Sequence, residues 1–314
     1  MPYFSIITPT YNRERELRRA IQSCLSQDFG DYEIIVIDDG STDCTADVVR
    51  ESGDSRISLI TLKTNRGQNP ARNVGISRAS GEWVLMLDSD MALLPGALAD
   101  LYERTRRAAN DVGNVASSCK WDNGLVTPFP DVPRNPITYE EYLTWIERWK
   151  VTEYFNCLRR TVFDRIHWVD SRASETCFHL ALARDWRISI SRQPAITYFT
   201  DSPDRVTKAA PKAAVKRLLA QAQDFALQAE DIIVDHGRSL KTFAPRRYAG
   251  IVNGAAMSYF LMRERRKGLA WEIRAILGGP LRLRNWATLG LGLLSPRLLA
   301  HAKVHWDQRS APRA

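Results

Sequence analysis

Several common signatures are missing from this chain of 314 residues, and each absence narrows what it can be. There is no apolar run of the roughly 18 residues that a transmembrane helix needs. The longest charge-free apolar stretch, Tyr248 to Met262, covers 15 residues and contains Asn253 and two glycines, too short and too polar for a span. The opening Met1-Pro2-Tyr3-Phe4-Ser5 lacks the basic segment and apolar stretch of a secretion signal. The five cysteines (Cys24, Cys44, Cys119, Cys157, Cys177) are scattered and odd in number, with no C-x-x-C pair, so a reduced, cytoplasmic chain is expected. No G-x-x-x-x-G-K-[ST] occurs, and Gly290-Leu291-Gly292 neither follows a clear strand nor completes G-x-G-x-x-G. If nucleotide phosphates are bound, metal and basic side chains must hold them. Internal repeats and low-complexity tracts are lacking too.

What is present is a globular composition, 44% apolar and 25% charged, long enough for one large or two modest domains. The net charge of +8 is unevenly spread. Residues 208–314 carry 19 Lys and Arg against 7 Asp and Glu, which leaves 25 against 29 for residues 1–207. The base excess therefore belongs to the C-terminal third. That asymmetry points to an anionic surface, membrane or nucleic acid, as partner for this part, while the acidic body is unlike a nucleic-acid binder.

The run Trp83 to Leu87 reads as a strand buried on both faces, ending in Asp88-Ser89-Asp90. In extended chain, residues i and i+2 project to one side, so Asp88 and Asp90 can share a ligand. Two hard carboxylates at a strand end suit Mn²⁺ or Mg²⁺, which take substrate phosphates as further ligands; an acidic turn closing a strand is the plainer alternative. Upstream, Phe4 to Pro9, Glu33 to Ile37 and Ile57 to Leu62 read as strands. Helices are expected at about Arg13 to Ser26, after a Thr42 or Asp43 cap to about Ser52, and from Ala71 to Ala79. This alternation predicts a parallel α/β sheet, in which ligands sit beyond the carboxyl ends of strands. Thr8-Pro9-Thr10-Tyr11, Asp38-Asp39 and Asp88-Ser89-Asp90 then converge on one crevice, with Arg66 and Arg72 as candidates for phosphate.

Four segments in this order, Ser5-Ile6-Ile7-Thr8-Pro9-Thr10-Tyr11-Asn12, Ile35 to Asp43, Asn65-Arg66-Gly67-Gln68 with Ala71-Arg72-Asn73-Val74-Gly75, and Leu87-Asp88-Ser89-Asp90, resemble the family-2 glycosyltransferases of the GT-A fold. The resemblance weakens toward residue 205 and covers nothing beyond it. It implies an α/β GT-A domain with a Rossmann-like sheet over residues 1–205, a nucleotide-binding half at 1–110 and an acceptor half at 111–205. A basic helical extension follows at 206–314. It further implies that Thr8, Pro9 and Tyr11 line the base pocket, Tyr11 offering a ring face for stacking. Asp39 would accept from the base's ring nitrogen, Gln68, Arg72 and Ser89 lie with the donor, Asp88 reach ribose or metal, and Asp90 bind the metal. Each has a plainer reading: Tyr11 and Asp39 as turn residues, Arg72 as an exposed helical arginine.

Where the family usually carries an acidic pair containing its base, this sequence has Ser174-Glu175-Thr176, so the match falls on Glu175 and Thr176 stands where an acid is usual. Glu175 is the expected base, with Asp170 as fallback; a helix-terminal acid is the alternative. His179 reads as packing or surface. The family's further histidine ligand is missing, leaving Asp201 as a weak candidate. Pro128, Pro130, Pro133 and Pro136 mark an irregular segment before a helix from Tyr139 to Lys150, and Trp121, Trp145 and Trp149 fit either an acceptor cleft or core. Beyond Ser202-Pro203, helices are expected from Val206 to Ala229 and Arg247 to Arg266. Over Leu269 to Leu299, Trp271 and Trp286 beside Arg274, Arg282, Arg284 and Arg297 suit either an anionic bilayer surface or a solvated helical cap.

The implied activity is metal-dependent, inverting transfer of a hexosyl group from a nucleotide sugar, UDP-linked, to a hydroxyl of a glycan or glycolipid in cell-surface polysaccharide or glycoconjugate synthesis. The protein would be cytoplasmic and peripheral on the inner membrane face, with no nucleic acid involved. A sugar-phosphate nucleotidyltransferase and a catalytically silent, membrane-associated nucleotide-sugar-binding protein are the other classes this pattern admits.

Overall fold

The computed structural model describes residues 1–127, 134–148, 153–171, 175–201, 211–278 and 283–310, with backbone alone at 283–285 and 307–310. Pro128, Pro130, Pro133, Trp149, Ser174, Arg282 and the stretch 202–210 lie outside the described residues. The chain forms two compact units, Met1–Tyr142 with Val151–Ser202, and Leu143–Lys150 with Pro203–Ala314.

The first unit is built on an eight-stranded mixed sheet. Four strands run parallel: β1 (Phe4–Thr10), β2 (Tyr32–Asp38), β3 (Ile57–Thr61) and β4 (Trp83–Met86). Four more follow in chain order: β5 (Met91–Leu93), β6 (Val112–Trp121), β7 (Phe155–Arg159) and β8 (Arg187–Tyr198). The spatial order is β3-β2-β1-β4-β7-β6-β8-β5. Antiparallel β7 pairs with β4, and β6 pairs with β7 and, parallel, with β8.

Both faces of β1 are covered, which is why it reads as a nearly unbroken apolar run. Phe4 and Ile6 join one core with Val36, Trp83 and Leu85, packed by α1 (Glu14–Leu25) through Leu17, Ile21 and Cys24. Ile7 points the other way, into a core with Ile37, Met86, Phe163, Trp168 and Phe178. Burial pushes the Cys24 thiol up to about 12 and raises those of Cys119 and Cys157 as well, so these behave as apolar fillers.

Helix α2 (Thr45–Ser52) follows β2, with the Asp43 carboxylate accepting from the Thr45 amide at 3.0 Å. Helix α3 (Gln68–Ile76) starts three residues earlier than its apolar periodicity suggests. Gly67 sits at φ 100°, and Pro70 falls in the first turn, where a missing amide proton costs nothing. The remaining helices of this part of the chain are α4 (Ala97–Thr105), α5 (Tyr139–Arg148) and α6 (Thr176–Asp185).

In the second unit the expected two long helices are further divided. Helices α7 (Pro211–Ala220) and α8 (Ala222–Phe243) break at Gln221, and α9 (Pro245–Leu261) ends before α10 (Arg265–Gly278). The last two are α11 (Leu283–Leu294) and α12 (Pro296–Ser310). Phe260, Met257, Leu261, Leu299 and Ala300 form its core, with Phe260 pressed between Gly268 and Gly292. Trp145 is buried, as its core reading required. Helix α10 turns its acid inward, where Glu272 is fully buried and accepts from Asn253 Nδ2 at 2.8 Å. Its large aliphatics face out: Leu269, Ile273 and Leu277 are exposed at four-residue spacing. No helix among the described residues is long and apolar enough to cross a membrane.

Gly81, just before β4, touches main chain: a Cβ there would lie 2.7 Å from the Ser5 nitrogen and 2.8 Å from the Phe4 carbonyl carbon. A backbone neighbour cannot rotate away. Gly81→Ala is expected to lower stability by about 1–3 kcal/mol, read as a lower midpoint in thermal or urea unfolding; an unchanged midpoint would mean that β1 and β4 can part at this point.

Candidate active site

Parallel pairing aligns the carboxyl ends of β1, β2 and β4 on one edge. Thr10 is opposite Asp38, and Ile7 opposite Met86, two residues before Asp88. The loops leaving that edge are tied in sequence around it. Asn12, in the left-handed region at φ 50°, accepts from the Thr42 amide at 2.8 Å, and its own amide donates to Ser41 Oγ at 2.8 Å. That joins the loop after β1 to the loop after β2.

Asp39 continues the ring. Its two carboxylate oxygens accept the amides of Arg66 at 2.8 Å and Gly67 at 2.7 Å, which fixes the approach to α3. Asp38 instead closes its own turn, accepting from the Ser41 amide at 2.9 Å. Two of the four lone-pair positions on Asp39 are thus used, and two are left for another donor. Tyr11 is 42% exposed, so a face of its ring is open, while Thr8 and Pro9 are buried in the sheet.

At the centre lies Arg72, on α3, with only 5% of its side chain exposed. Its Nη2 donates to both oxygens of Asp88, at 3.0 and 3.1 Å, and its Nη1 meets Glu175 Oε1. The guanidinium also faces the Trp168 ring, 5.5 Å from its centroid. Trp168 is held by a two-way clasp with Asn73, whose side-chain amide donates to the Trp168 carbonyl at 2.8 Å and accepts from its amide at 3.2 Å. Arg72 is therefore a buried ion-pair centre, not an exposed helical arginine. Its Nε is buried with no hydrogen-bond partner among the described residues.

Burial would raise the Glu175 carboxyl, but the Arg72 charge, and after it His179, outweigh burial and hold it well below the usual carboxylate range. The charge of Arg72 is correspondingly reinforced: burial acts against it, and Asp88 and Glu175 more than compensate. Asp90 is buried and pairs with Arg13 Nη1 at 3.3 Å, while its carbonyl accepts from the Phe199 amide at 3.0 Å. Ser89, between the acids, is buried, and Gln68 is exposed at the start of α3.

Asp88 and Glu175 thus meet on Arg72, Asp90 pairs separately with Arg13, and Asp39 holds the turn into α3, while further residues not expected from the sequence join them. Arg13 holds Asp90. His179, read as packing or surface, has Nε2 3.6 Å from Glu175 Oε2; the four-residue spacing on one helix was the available signal. Asp170 is engaged by Arg66, at 3.0 and 3.2 Å, and lies exposed. Asp201 accepts from Arg19 at 3.0 and 3.2 Å and from Arg15 at 3.4 Å, and Arg19 holds its carboxyl below the ordinary range. Two surface cavities, of about 410 and 390 Å³, are lined by other residues. Between Asp88 and Glu175 the Arg72 side chain itself occupies the space.

The family model described as glycosyl transferase family 2 matches residues 5–166. A Campylobacter jejuni GalNAc(5)-diNAcBac-PP-undecaprenol beta-1,3-glucosyltransferase is 43% identical over 118 residues, 36% of this chain and 38% of that protein. The Escherichia coli UDP-Glc:alpha-D-GlcNAc-diphosphoundecaprenol beta-1,3-glucosyltransferase WfgD is 43% identical over 86 residues, 27% of this chain and 34% of that protein. The chain therefore spans little more than a third of the length of these curated relatives. Among solved structures, Staphylococcus aureus TarS 1-349 in complex with UDP-GlcNAc superposes with a TM-score of 0.60 at 20% identity, covering 99% of this chain and 91% of that one. The mannosyltransferase PcManGT from Pyrobaculum calidifontis, with GDP-Man and Mn²⁺, gives 0.55 at 19% identity, covering 98% and 88%. These likenesses show the GT-A fold, extended by the C-terminal helices.

Replacing Arg72 by Met keeps length and volume but leaves two partly buried carboxylates with no counter-charge between them. The variant is expected to lose about 3–5 kcal/mol of stability at neutral pH. A carboxyl held low in the folded state contributes stability that is present above its unfolded value near 4 and lost as pH falls through the folded one. The difference between wild type and Arg72→Met should therefore be full above about pH 5 and shrink below pH 4. Urea unfolding at pH 7.5 and pH 3.5 measures it; an equal gap at both would detach Arg72 from the acids.

Proposed function

Because the chain belongs to glycosyl transferase family 2, we propose that it moves a hexosyl group from a UDP-linked donor to a hydroxyl of a lipid-linked glycan, with inversion at the anomeric carbon. The observation that carries this reading is the Asp88–Arg72–Glu175 bridge at the carboxyl edge of the sheet, which sets a donor-side acid and an acceptor-side acid on either side of one buried cation. The glycosyl-transfer domain is taken as residues 1–205, with the donor half at 1–110, the acceptor half at 111–205 and the basic helical region at 206–314.

On the donor side, the open ring of Tyr11 can stack a uracil, with Thr8 and Pro9 behind it, and the unused lone pairs of Asp39 can accept a ring N–H. Arg72 offers its unpartnered Nε to the diphosphate, beside Gln68 and Ser89. Asp88 and Asp90 supply hard oxygens of the kind Mn²⁺ or Mg²⁺ takes, and no group of three His, Cys, Asp or Glu able to hold an ion lies among the described residues. The donor set fits a cation shared with the donor's phosphates. When bound, such an ion supplies Lewis-acid stabilisation of the leaving diphosphate.

On the acceptor side, Glu175 takes the proton from the acceptor hydroxyl as its oxygen bonds to the anomeric carbon and the bond to the diphosphate oxygen breaks on the opposite face. UDP leaves with the electron pair. A carboxylate pinned by Arg72 is a weak base. A diphosphate drawing on the same guanidinium loosens that grip and restores basicity to Glu175, which favours donor binding before transfer.

The relatives whose names specify undecaprenol-linked acceptors support a lipid-linked acceptor, and with it we place the protein peripherally on the cytoplasmic membrane face. The outward Leu269, Ile273 and Leu277 of α10, with exposed Arg265, Arg266 and Arg274 on the same helix, suit an anionic bilayer surface. Ile273→Ser with Leu277→Ser should reduce co-sedimentation with phosphatidylglycerol vesicles; equal pelleting of both proteins would remove this surface from the proposal.

The direct test is a thermal-shift panel of UDP-glucose, UDP-N-acetylglucosamine and GDP-mannose with Mn²⁺ or Mg²⁺, followed by transfer assays. A UDP sugar should give the largest shift, reduced in Asp90→Ala. Glu175→Gln should keep that shift while transfer falls about 10²–10⁴-fold. Undiminished transfer in Glu175→Gln rejects the base, and pyrophosphate release from a nucleoside triphosphate would move the protein to nucleotidyl transfer.

A further inference from the structure

We propose that His179 is a positioning residue for Glu175: its Nε2 holds the second carboxylate oxygen, and the Tyr154 hydroxyl against Nδ1 decides which ring nitrogen carries the proton. The inference rests on Glu175 being the base and adds what orients it.

The geometry comes from three elements of the first unit. Glu175 is the N-cap of α6 and His179 lies one turn on, so the two side chains share a face. The two oxygens of Glu175 have different partners, Oε1 on Arg72 and Oε2 on His179 Nε2 at 3.6 Å. Separate partners fix the plane of the carboxylate, which one partner would leave free to rotate. At 3.6 Å the two atoms face each other beyond hydrogen-bond length, and contacts of catalytic groups are often long until substrate is bound.

Behind the ring, Nδ1 is 3.3 Å from Tyr154 OH, which is itself 3.3 Å from Tyr142 OH. The ring is packed as well as bonded: Phe178 lies edge-on at 5.5 Å and Tyr154 at 5.6 Å between centroids. Burial, more than the nearby Tyr142, drives the Tyr154 phenol well above its ordinary value, so it keeps its proton and can donate it to Nδ1. A neutral imidazole accepting at Nδ1 must carry its hydrogen on Nε2, the nitrogen that faces Glu175. Among the described residues, the charged and titratable groups around the ring include Glu175 and, through it, Arg72, together with Tyr154 and Tyr142 and, beside Tyr154, Glu153.

This arrangement matters when a phosphate competes for Arg72. The guanidinium then no longer orients Glu175, and the imidazole is the contact that keeps the carboxylate facing the acceptor hydroxyl. A misplacement of about 1 Å at a base can cost about 100-fold in rate.

Two measurements on the full chain test this. The first needs no substrate. In long-range ¹H–¹⁵N spectra of histidine-labelled protein, the His179 signals, assigned by their loss in His179→Gln, should show the Nε2–H tautomer in wild type and a mixture in Tyr154→Phe. An Nδ1–H tautomer, or no change in Tyr154→Phe, overturns the proposal. The second reads UDP released from UDP-glucose with water as acceptor. His179→Asn, which keeps a group at the Nδ1 place but none at Nε2, should lower kcat about 10- to 100-fold and leave KM for UDP-glucose within about twofold. His179→Gln, whose amide nitrogen reaches the Nε2 place, should restore most of the rate. Equal losses in Asn and Gln variants, or a loss seen only in KM, overturn it. Glu175→Gln in the same assay separates the two readings: a full rate there fails the base, whereas a lost rate beside an unaffected His179→Asn fails the positioning role alone.

Discussion

One buried guanidinium governs the edge of the sheet where the loops converge. Arg72 is almost entirely out of water, and a charge so placed is tolerable only when paired. It therefore demands acids from two directions, and the chain supplies them from just after β4 and the start of α6, at Asp88 and Glu175. The dependence runs both ways. Arg72 holds the Glu175 carboxyl in its ionised form and pairs with Asp88, and α3 must lie close enough to the sheet to deliver the arginine. Gly75 permits that approach: a Cβ there would come within 2.5 Å of Ile7 and 2.6 Å of Ile37.

Much of the parallel half of the sheet was legible because its physics is local. Strands buried on both faces are continuous apolar runs, and helices between them show their spacing. The other half was not. Strand β6, Val112–Trp121, carries Asn114, Ser117 and Ser118 fully buried, which reads as a loop until their partners are known. Arg104 donates to Ser117 Oγ at 2.7 Å, Ser118 donates to the Arg192 carbonyl at 2.6 Å, and Asn114 donates to Asn156 at 2.8 Å. Two of those contacts span 42 and 74 residues, and the third joins a helix to a strand 13 residues on, so periodicity does not reveal them. Strand β8 hides similarly behind Pro194 and the irregular register it shares with β6.

The candidate residues were visible as types and spacings, but their pairing was not. Asp88, Asp90 and Glu175 look alike as carboxylates, and only the fold assigns Arg72 to the first and third and Arg13 to the second. His179 was passed over because a lone histidine on an apolar helix is usually packing or surface. Its partner Tyr154 lies 25 positions away, beyond the reach of periodicity. In the helical unit the same limit appears in reverse: Glu272 looks like a solvated acid and is wholly buried, and Leu277 looks like core and is exposed.

The two amides held by Asp39 have a further consequence. The carboxylate spends one oxygen on Arg66 and the other on Gly67, and Gly67 occupies a backbone conformation that side-chain-bearing residues rarely adopt. Any molecule that presents a proton to Asp39 draws on electron density already committed to the turn leading into α3. Recognition at that carboxylate and the shape of the chain carrying Arg72 are thus parts of one thermodynamic cycle: what tightens or relaxes the first is felt by the second, with no moving domain required to transmit it.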